Sequence, residues 1–249
     1  MAQQGFQYEV NAANVLKGMG IVPKDFIPAG ASHDQPDLML EYKGQQSGCE
    51  LKITAASAGS LVLKYDSSDK RNPWKFGNID LKDTEKQFIK DLADEIDLFS
   101  LIKQKWKEIP FKSEPKDDFW KATAGKLTKK QQYERDRDAF PDIRGEIPAT
   151  KIEQYYNRKN TYYVNVGTHG FYLMGSKNPL KLKNVPTFGK SAKATYRARV
   201  QYKGSDNYQF TFEMQFSIPS SNKSKFNIAP VDGKSVNIIK NNINLTCFT

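Results

Sequence analysis

Pro36-Asp37-Leu38-Met39-Leu40-Glu41-Tyr42, then Lys43-Gly44-Gln45-Gln46-Ser47-Gly48, then Cys49-Glu50-Leu51-Lys52-Ile53 is the stretch on which the fold turns. Apolar residues alternate with polar ones on either side of a glycine-containing segment, the pattern of a β-hairpin with one buried face. Strand side chains point to alternate faces, so Glu50 and Lys52 share one face while Leu51 and Ile53 point to the core behind them. A two-residue turn at Gly44-Gln45, with glycine first, sets Asp37 opposite Lys52 and Met39 opposite Glu50, gathering the three polar side chains on one face. A longer loop through Gln45-Gln46-Ser47-Gly48 is the alternative, and a slip by one residue separates them.

Working outward, Phe6 to Met19 carries Phe6, Val10, Ala13 and Leu16 near helical spacing, with Gly18 and Gly20 placed to stop a short helix. After the hairpin, Ser60 to Tyr65 reads as a third strand and Asp66 to Asn78 as a polar loop. Thr84 to Lys107 has apolar residues at 88, 92, 96, 99, 102 and 106 and reads as one long helix. Residues 110 to 150 are charged and proline-bearing. Thr128 with Gln131 forms a capping box for a short helix, and Phe111, Phe119, Trp120, Tyr133 and Phe140 argue that the segment packs. The last third is β-rich: 161–166 and 171–175 flank a Gly-Thr-His-Gly turn, and 194–203 with 208–217 form a second hairpin. The expected fold class is α/β (α+β), a central mixed β-sheet flanked by helices followed by a basic β-rich region. The expected division is 1–150 and 151–249, with one continuous domain as the alternative.

Composition narrows the function. The 249 residues are 38% hydrophobic and 12% aromatic, enough for a sizeable core and unlike a disordered chain. No apolar run reaches the roughly 18 residues of a spanning helix, and Met1-Ala2-Gln3-Gln4-Gly5 has neither a basic nor an apolar leader, so a soluble, cytoplasmic protein without membrane contacts is expected. Cys49 and Cys247 are too few for a disulfide framework or a zinc cage. The net charge is +10 and unevenly spread: residues 1–150 hold 23 Lys and Arg against 24 Asp and Glu, residues 151–249 hold 15 against 4. A surplus confined to one end of the chain points to a polyanion-facing surface there.

Asp37, Glu50 and Lys52 carry the chemistry. Hydrolysis of a phosphodiester needs a hard divalent cation to polarise the phosphoryl oxygen and activate water, and carboxylates with a backbone carbonyl suit Mg2+ or Mn2+. Pro36-Asp37, twelve residues, then Glu50-Leu51-Lys52 resembles the motif of the PD-(D/E)XK nuclease superfamily, the fold of most type II restriction endonucleases and of several resolvases and repair nucleases. The likeness spans roughly residues 5 to 65. It implies a restriction-endonuclease-like core, with Asp37, Glu50 and the Ile53 carbonyl as metal ligands and Glu9 of the first helix as an extra one. It implies that Lys52 orients or helps deprotonate the attacking water. The Gln-x-x-x-Tyr element of the exonuclease branch is not apparent. On the bland view, Glu50 and Lys52 are a solvent-facing pair worth a few tenths of a kcal/mol.

In the basic region, Arg197, Arg199, Gln201 and Lys203 line the polar face of the second hairpin beside Thr211, Glu213 and Gln215. A two-stranded ribbon of this kind fits the major groove, while an amphipathic hairpin with Glu213 neutralising an arginine is the simpler alternative. Lys181, Lys183, Lys190 and Lys193 precede the ribbon and are candidates for phosphate contacts. His33 and His169 read as loop and turn residues, Cys49 as a small core hydrophobe, and the tyrosines at 155, 156, 162 and 163 as packing or base-stacking groups. The expected function is Mg2+-dependent cleavage of double-stranded DNA, with type II restriction as the leading subclass and a homodimer suited to cutting both strands. The alternatives are a structure-specific nuclease such as a junction resolvase, a non-catalytic DNA-binding protein on the same fold and, more weakly, an RNA-binding β module.

Overall fold

A computed structural model describes residues 2–28, 30, 35–54, 56–66, 68–71, 73–77, 83–108, 128–139, 142–202, 208–233 and 235–249. In chain order the elements begin with α1 (Ala2–Gly18), β1 (Leu38–Tyr42), β2 (Gln45–Lys52), β3 (Ser57–Tyr65), β4 (Trp74–Phe76), α2 (Thr84–Glu95), α3 (Leu98–Glu108) and α4 (Lys129–Ala139). They continue with β5 (Ile143–Ile147), α5 (Ala149–Arg158), β6 (Thr161–Val166), β7 (Gly170–Leu173), α6 (Phe188–Ser191), β8 (Lys193–Tyr202) and β9 (Tyr208–Ser217). The class is mixed α and β, as expected, with the strands divided between two sheets. No helix among the described residues is long and apolar enough to cross a membrane. The chain forms two compact units, one of Met1–Ala56, Pro148–Ala194 and Phe216–Thr249 and one of Ser57–Ile147 and Thr195–Gln215. The division therefore does not follow a cut at residue 150: the second unit is built from two insertions into the first.

In the first unit α1 stops where glycine permits it. Gly20 adopts φ +71, Ile21 N donates to Leu16 O at 3.0 Å and Gly20 N to Lys17 O at 3.1 Å, a Schellman closure whose left-handed residue favours glycine. The sheet order is β1-β2-β6-β7: β1 and β2 are antiparallel, β2 and β6 parallel, β6 and β7 antiparallel. A parallel neighbour requires a crossover, and α5 immediately precedes β6. Leu38, Leu40, Cys49 and Leu51 bury one face of the hairpin in a cluster with Tyr8, Ala12, Ala13 and Leu16 of α1 and Tyr163 and Phe171 of β6 and β7.

The hairpin turn is Lys43-Gly44 and not Gly44-Gln45. Both residues have positive φ, 50 and 74, as a type I′ turn demands. Leu38 then faces Cys49 and Tyr42 faces Gln45, which sets Asp37 level with Glu50 and not with Lys52. The shift is by two residues, so the faces keep their parity. Gly48 tolerates no larger side chain without movement: a Cβ there would lie 2.9 Å from Pro36 Cβ and 3.0 Å from Asn160 O. The glycine thus lets the segment leading into Asp37 lie against β2.

In the second unit the order is β4-β3-β9-β8-β5, with β3 antiparallel to both β4 and β9. The third strand expected at Ser60 to Tyr65 is present as part of β3, in this second sheet. The single helix expected over 84–107 is broken in two, because Asp97 turns left-handed with φ 51, a conformation a short polar side chain tolerates. Thr128 and Gln131 do form the reciprocal capping box, with Thr128 N donating to Gln131 Oε1 at 2.9 Å and Gln131 N to Thr128 Oγ1 at 3.2 Å. Phe111, Phe119, Trp120 and Phe140, offered as packing residues, lie outside the described residues.

Candidate functional site

Asp37 stands one residue before β1, where the strand's backbone ladder with β2 runs out. Its side chain continues that ladder, with Oδ2 accepting Leu51 N–H at 2.8 Å. Across from it, Glu50 is 5% exposed. Glu50 Oε1 accepts from Lys52 Nζ at 2.5 Å and from the Tyr156 hydroxyl at 3.3 Å. Helix α1, packed on the sheet through Tyr8, Ala12 and Leu16, brings Glu9 into the same electrostatic neighbourhood. Its Oε2 is buried without a hydrogen-bond partner. The hairpin thus holds Asp37, Glu50 and Lys52 on one face, and α1 adds Glu9 within electrostatic reach of Glu50 and Lys52.

The electrostatics show how costly that gathering is. Burial, then repulsion from Glu50, pushes the Asp37 carboxyl up to about 8, against the pull of Lys52 and the Leu51 amide. Burial and Glu50 push Glu9 up to about 7. Burial works against the charge on Lys52, but Glu50 and Asp37 outweigh it and hold its pKa above the usual lysine value. Cys49, completely buried, has its thiol pushed up by burial first, which fits a core hydrophobe and not a nucleophile.

Whether these groups suit a divalent cation can be judged from the donors. Hard carboxylate oxygens are what Mg2+ and Mn2+ take, and an orphaned, buried Glu9 Oε2 is an atom a cation would satisfy. Among the described residues, however, no three His, Cys, Asp or Glu side chains stand close enough to hold a metal as they are. Glu50 is turned to Lys52 instead. The Ile53 carbonyl accepts Thr168 N–H at 3.2 Å.

The remaining candidates separate clearly. Arg197 Nη2 lies 2.6 Å from Asp142 Oδ2, and Arg199 Nε lies 3.0 Å from Glu213 Oε1 without a well-aimed N–H. Gln201 is half-buried in the same strand, and Lys203 lies outside the described residues. Glu213 is 3% exposed, so the polar face of β8 and β9 is an internal charge network and the neutralised-hairpin alternative describes it. Lys181, Lys183, Lys190 and Lys193 are exposed, and none pairs with a carboxylate among the described residues. His169 closes the β6–β7 turn beside Thr168 Oγ1 at 2.7 Å, its pKa lowered by burial and by Lys223. Tyr155, Tyr156 and Tyr163 are buried, leaving Tyr162 half-exposed against Lys177. His33 lies outside the described residues.

Sorting charge by unit changes its meaning. The first unit holds 16 Lys and Arg against 8 Asp and Glu, +8 net, and the second 22 against 20, +2 net. Within the first unit, 154–194 and 216–231 contain nine Lys and Arg and no Asp or Glu. The carboxylate cluster and the acid-free basic segments therefore belong to the same unit. No family model, curated protein or solved structure matches the chain.

The raised carboxyl values fix a pH dependence. Folded Asp37 and Glu9 keep their protons to higher pH than the unfolded chain does, where the values are about 3.9 and 4.3. The stability this contributes is complete below about pH 4 and is lost as pH rises toward 8. In chelator, Asp37→Asn should leave the melting temperature near pH 4 almost unchanged and raise it by a few degrees at pH 8 or above. A thermal-shift series over that range checks this, and a variant that tracks the wild type throughout refutes it.

Proposed function

We propose that this chain is a Mg2+-dependent nuclease that hydrolyses phosphodiester bonds of double-stranded DNA on a restriction-endonuclease-like core, most readily as a type II restriction enzyme acting as a homodimer. One observation carries the reading: Asp37, Glu50 and Lys52 share one face of the hairpin, and Glu9 of α1 lies within electrostatic reach of Glu50 and Lys52. The spacing of Asp37 and Glu50 alone is common on charged hairpins. The arrival of an acid 28 positions earlier in the chain, on the helix packed behind the hairpin, is not a consequence of that spacing. The mixed sheet with its parallel β2–β6 pair and flanking α1 and α5 agrees with such a core.

In this reading Asp37, Glu50 and Glu9 would hold the cation, and Mg2+ or Mn2+ there would supply charge neutralisation at the phosphoryl oxygens and a more acidic water. Lys52, ion-paired and hence cationic, donates a hydrogen bond to the attacking water and offsets negative charge developing on phosphate. The sheet behind Glu50 and Lys52 keeps both side chains on one face and excludes water from their rear. Phosphate attraction comes from the acid-free segments of the first unit, Lys181, Lys183, Lys190 and Lys193 among them, because the ribbon arginines already have carboxylate partners. One observation favours a non-catalytic DNA-binding protein instead: Glu50 is closed off by the Lys52 ion pair, and among the described residues no three acids stand close enough to hold a metal.

Incubation of supercoiled and linear duplex with Mg2+ tests the proposal. The wild type should cut, and Asp37→Ala and Lys52→Ala should each lower the rate by about 100-fold or more. Cutting retained by both variants overturns the site, and no cutting of any duplex or branched substrate favours the binding protein. Discrete fragments indicate restriction, whereas a preference for branched DNA indicates a junction resolvase. The grip is tested by salt dependence. Replacing Lys181 and Lys183 by alanine should flatten the logarithmic slope of binding against salt by about 0.9 for each phosphate that is no longer neutralised. An unchanged slope, with a flattened one for Arg199→Ala, returns the grip to the ribbon.

A further inference from the structure

We propose that Tyr156 is the positioning residue of Glu50, fixing which carboxylate oxygen is offered to a cation; this rests on the metal-site reading above and names a part of it that the Asp37, Glu50, Lys52 motif does not contain. Tyr156 is 0% exposed and sits on α5, 106 positions from Glu50. Its neighbours Ile152 and Tyr155 are buried as well, and the Tyr155 ring meets it edge-on at 5.1 Å between centroids. The hydroxyl is thus held by a packed helix and not by a loop. It donates to Glu50 Oε1, the same oxygen that takes the Lys52 ammonium.

A glutamate side chain has three rotatable torsions, and an ammonium alone, on its own flexible stem, leaves the carboxylate free to rotate. Two donors from different elements converging on one oxygen remove that freedom and leave Oε2 outside both bonds. Lys52 and Glu50 lie on the same strand and move together, whereas Tyr156 ties Glu50 to a second element. Outer partners of this kind act on metal affinity without touching the metal. Tyr156 touches neither substrate nor cation in this account.

Calorimetric titration of the whole chain with Mn2+ alone tests it, with melting temperature recorded for every variant. The wild type should bind Mn2+ and Asp37→Ala should not. Tyr156→Phe, which keeps the ring and removes the hydroxyl, should weaken binding about 10-fold, the lower end of the cost of losing such a partner. The melting temperature of Tyr156→Phe should stay within a few degrees of the wild type. Wild-type affinity in Tyr156→Phe overturns the inference while the metal site stands. So does a loss of affinity accompanied by a large fall in melting temperature, which marks a general packing defect. A wild type that takes up no Mn2+ removes both the inference and the metal-site reading.

Discussion

Carboxylates brought level on neighbouring strands repel, and taking them out of water makes the repulsion stronger. The first unit is arranged around that cost. Asp37 is held by a backbone amide that β1 no longer reaches, Glu50 by an ammonium and a phenol, and Glu9 by nothing at its Oε2. A cluster concerned only with stability would place a leucine or a second lysine at one of these positions. Retaining three acids around one ammonium leaves negative charge that a proton or a cation must meet. The raised values for Asp37 and Glu9 are the proton's answer to that demand, and Mg2+ is the answer proposed for the working protein.

Much of this is legible in the residues. Alternation at Leu38, Leu40, Cys49 and Leu51 identifies the hairpin and its buried face, and the order of polar residues puts Glu50 and Lys52 together. The turn is displaced from its expected place because Lys43 accepts a left-handed conformation that its residue type disfavours, so glycine falls second in the turn and not first. A shift of two preserves the side-chain face, which is why Asp37, Glu50 and Lys52 still share one face while the Asp37–Lys52 pairing is lost. The third strand is visible in the sequence but its partner is not, since alternation within Ser57–Tyr65 says nothing about which sheet receives it. The periodicity over 84–107 runs across Asp97 without a signal, because an aspartate can continue a helix or end one. Tyr156 shows only as an aromatic near a helix end. No local pattern links it to a strand more than a hundred residues away.

The charge is legible in amount and misleading in placement. Cut by sequence, the carboxylates fall in a nearly neutral half and the lysines in a basic one, which suggests separate roles for separate regions. Cut by contact, the hairpin acids and the acid-free lysine segments lie in one unit, while in the second unit Arg197 and Arg199 are paired with Asp142 and Glu213. Alternating arginines on a strand therefore do not by themselves make a groove-reading ribbon. The carboxylate across the hairpin decides whether their charge is available.

The central claim is that Glu9, Asp37 and Glu50 form one cation site. Anomalous diffraction from crystals grown with Mn2+ tests it without recourse to activity. The account predicts a manganese peak in contact with the carboxylates of Asp37 and Glu50 and facing Glu9, with the Lys52–Glu50 pair loosened to admit it. Crystals with Mn2+ bound elsewhere on the chain, and with the Lys52–Glu50 pair intact and no peak beside it, would contradict it.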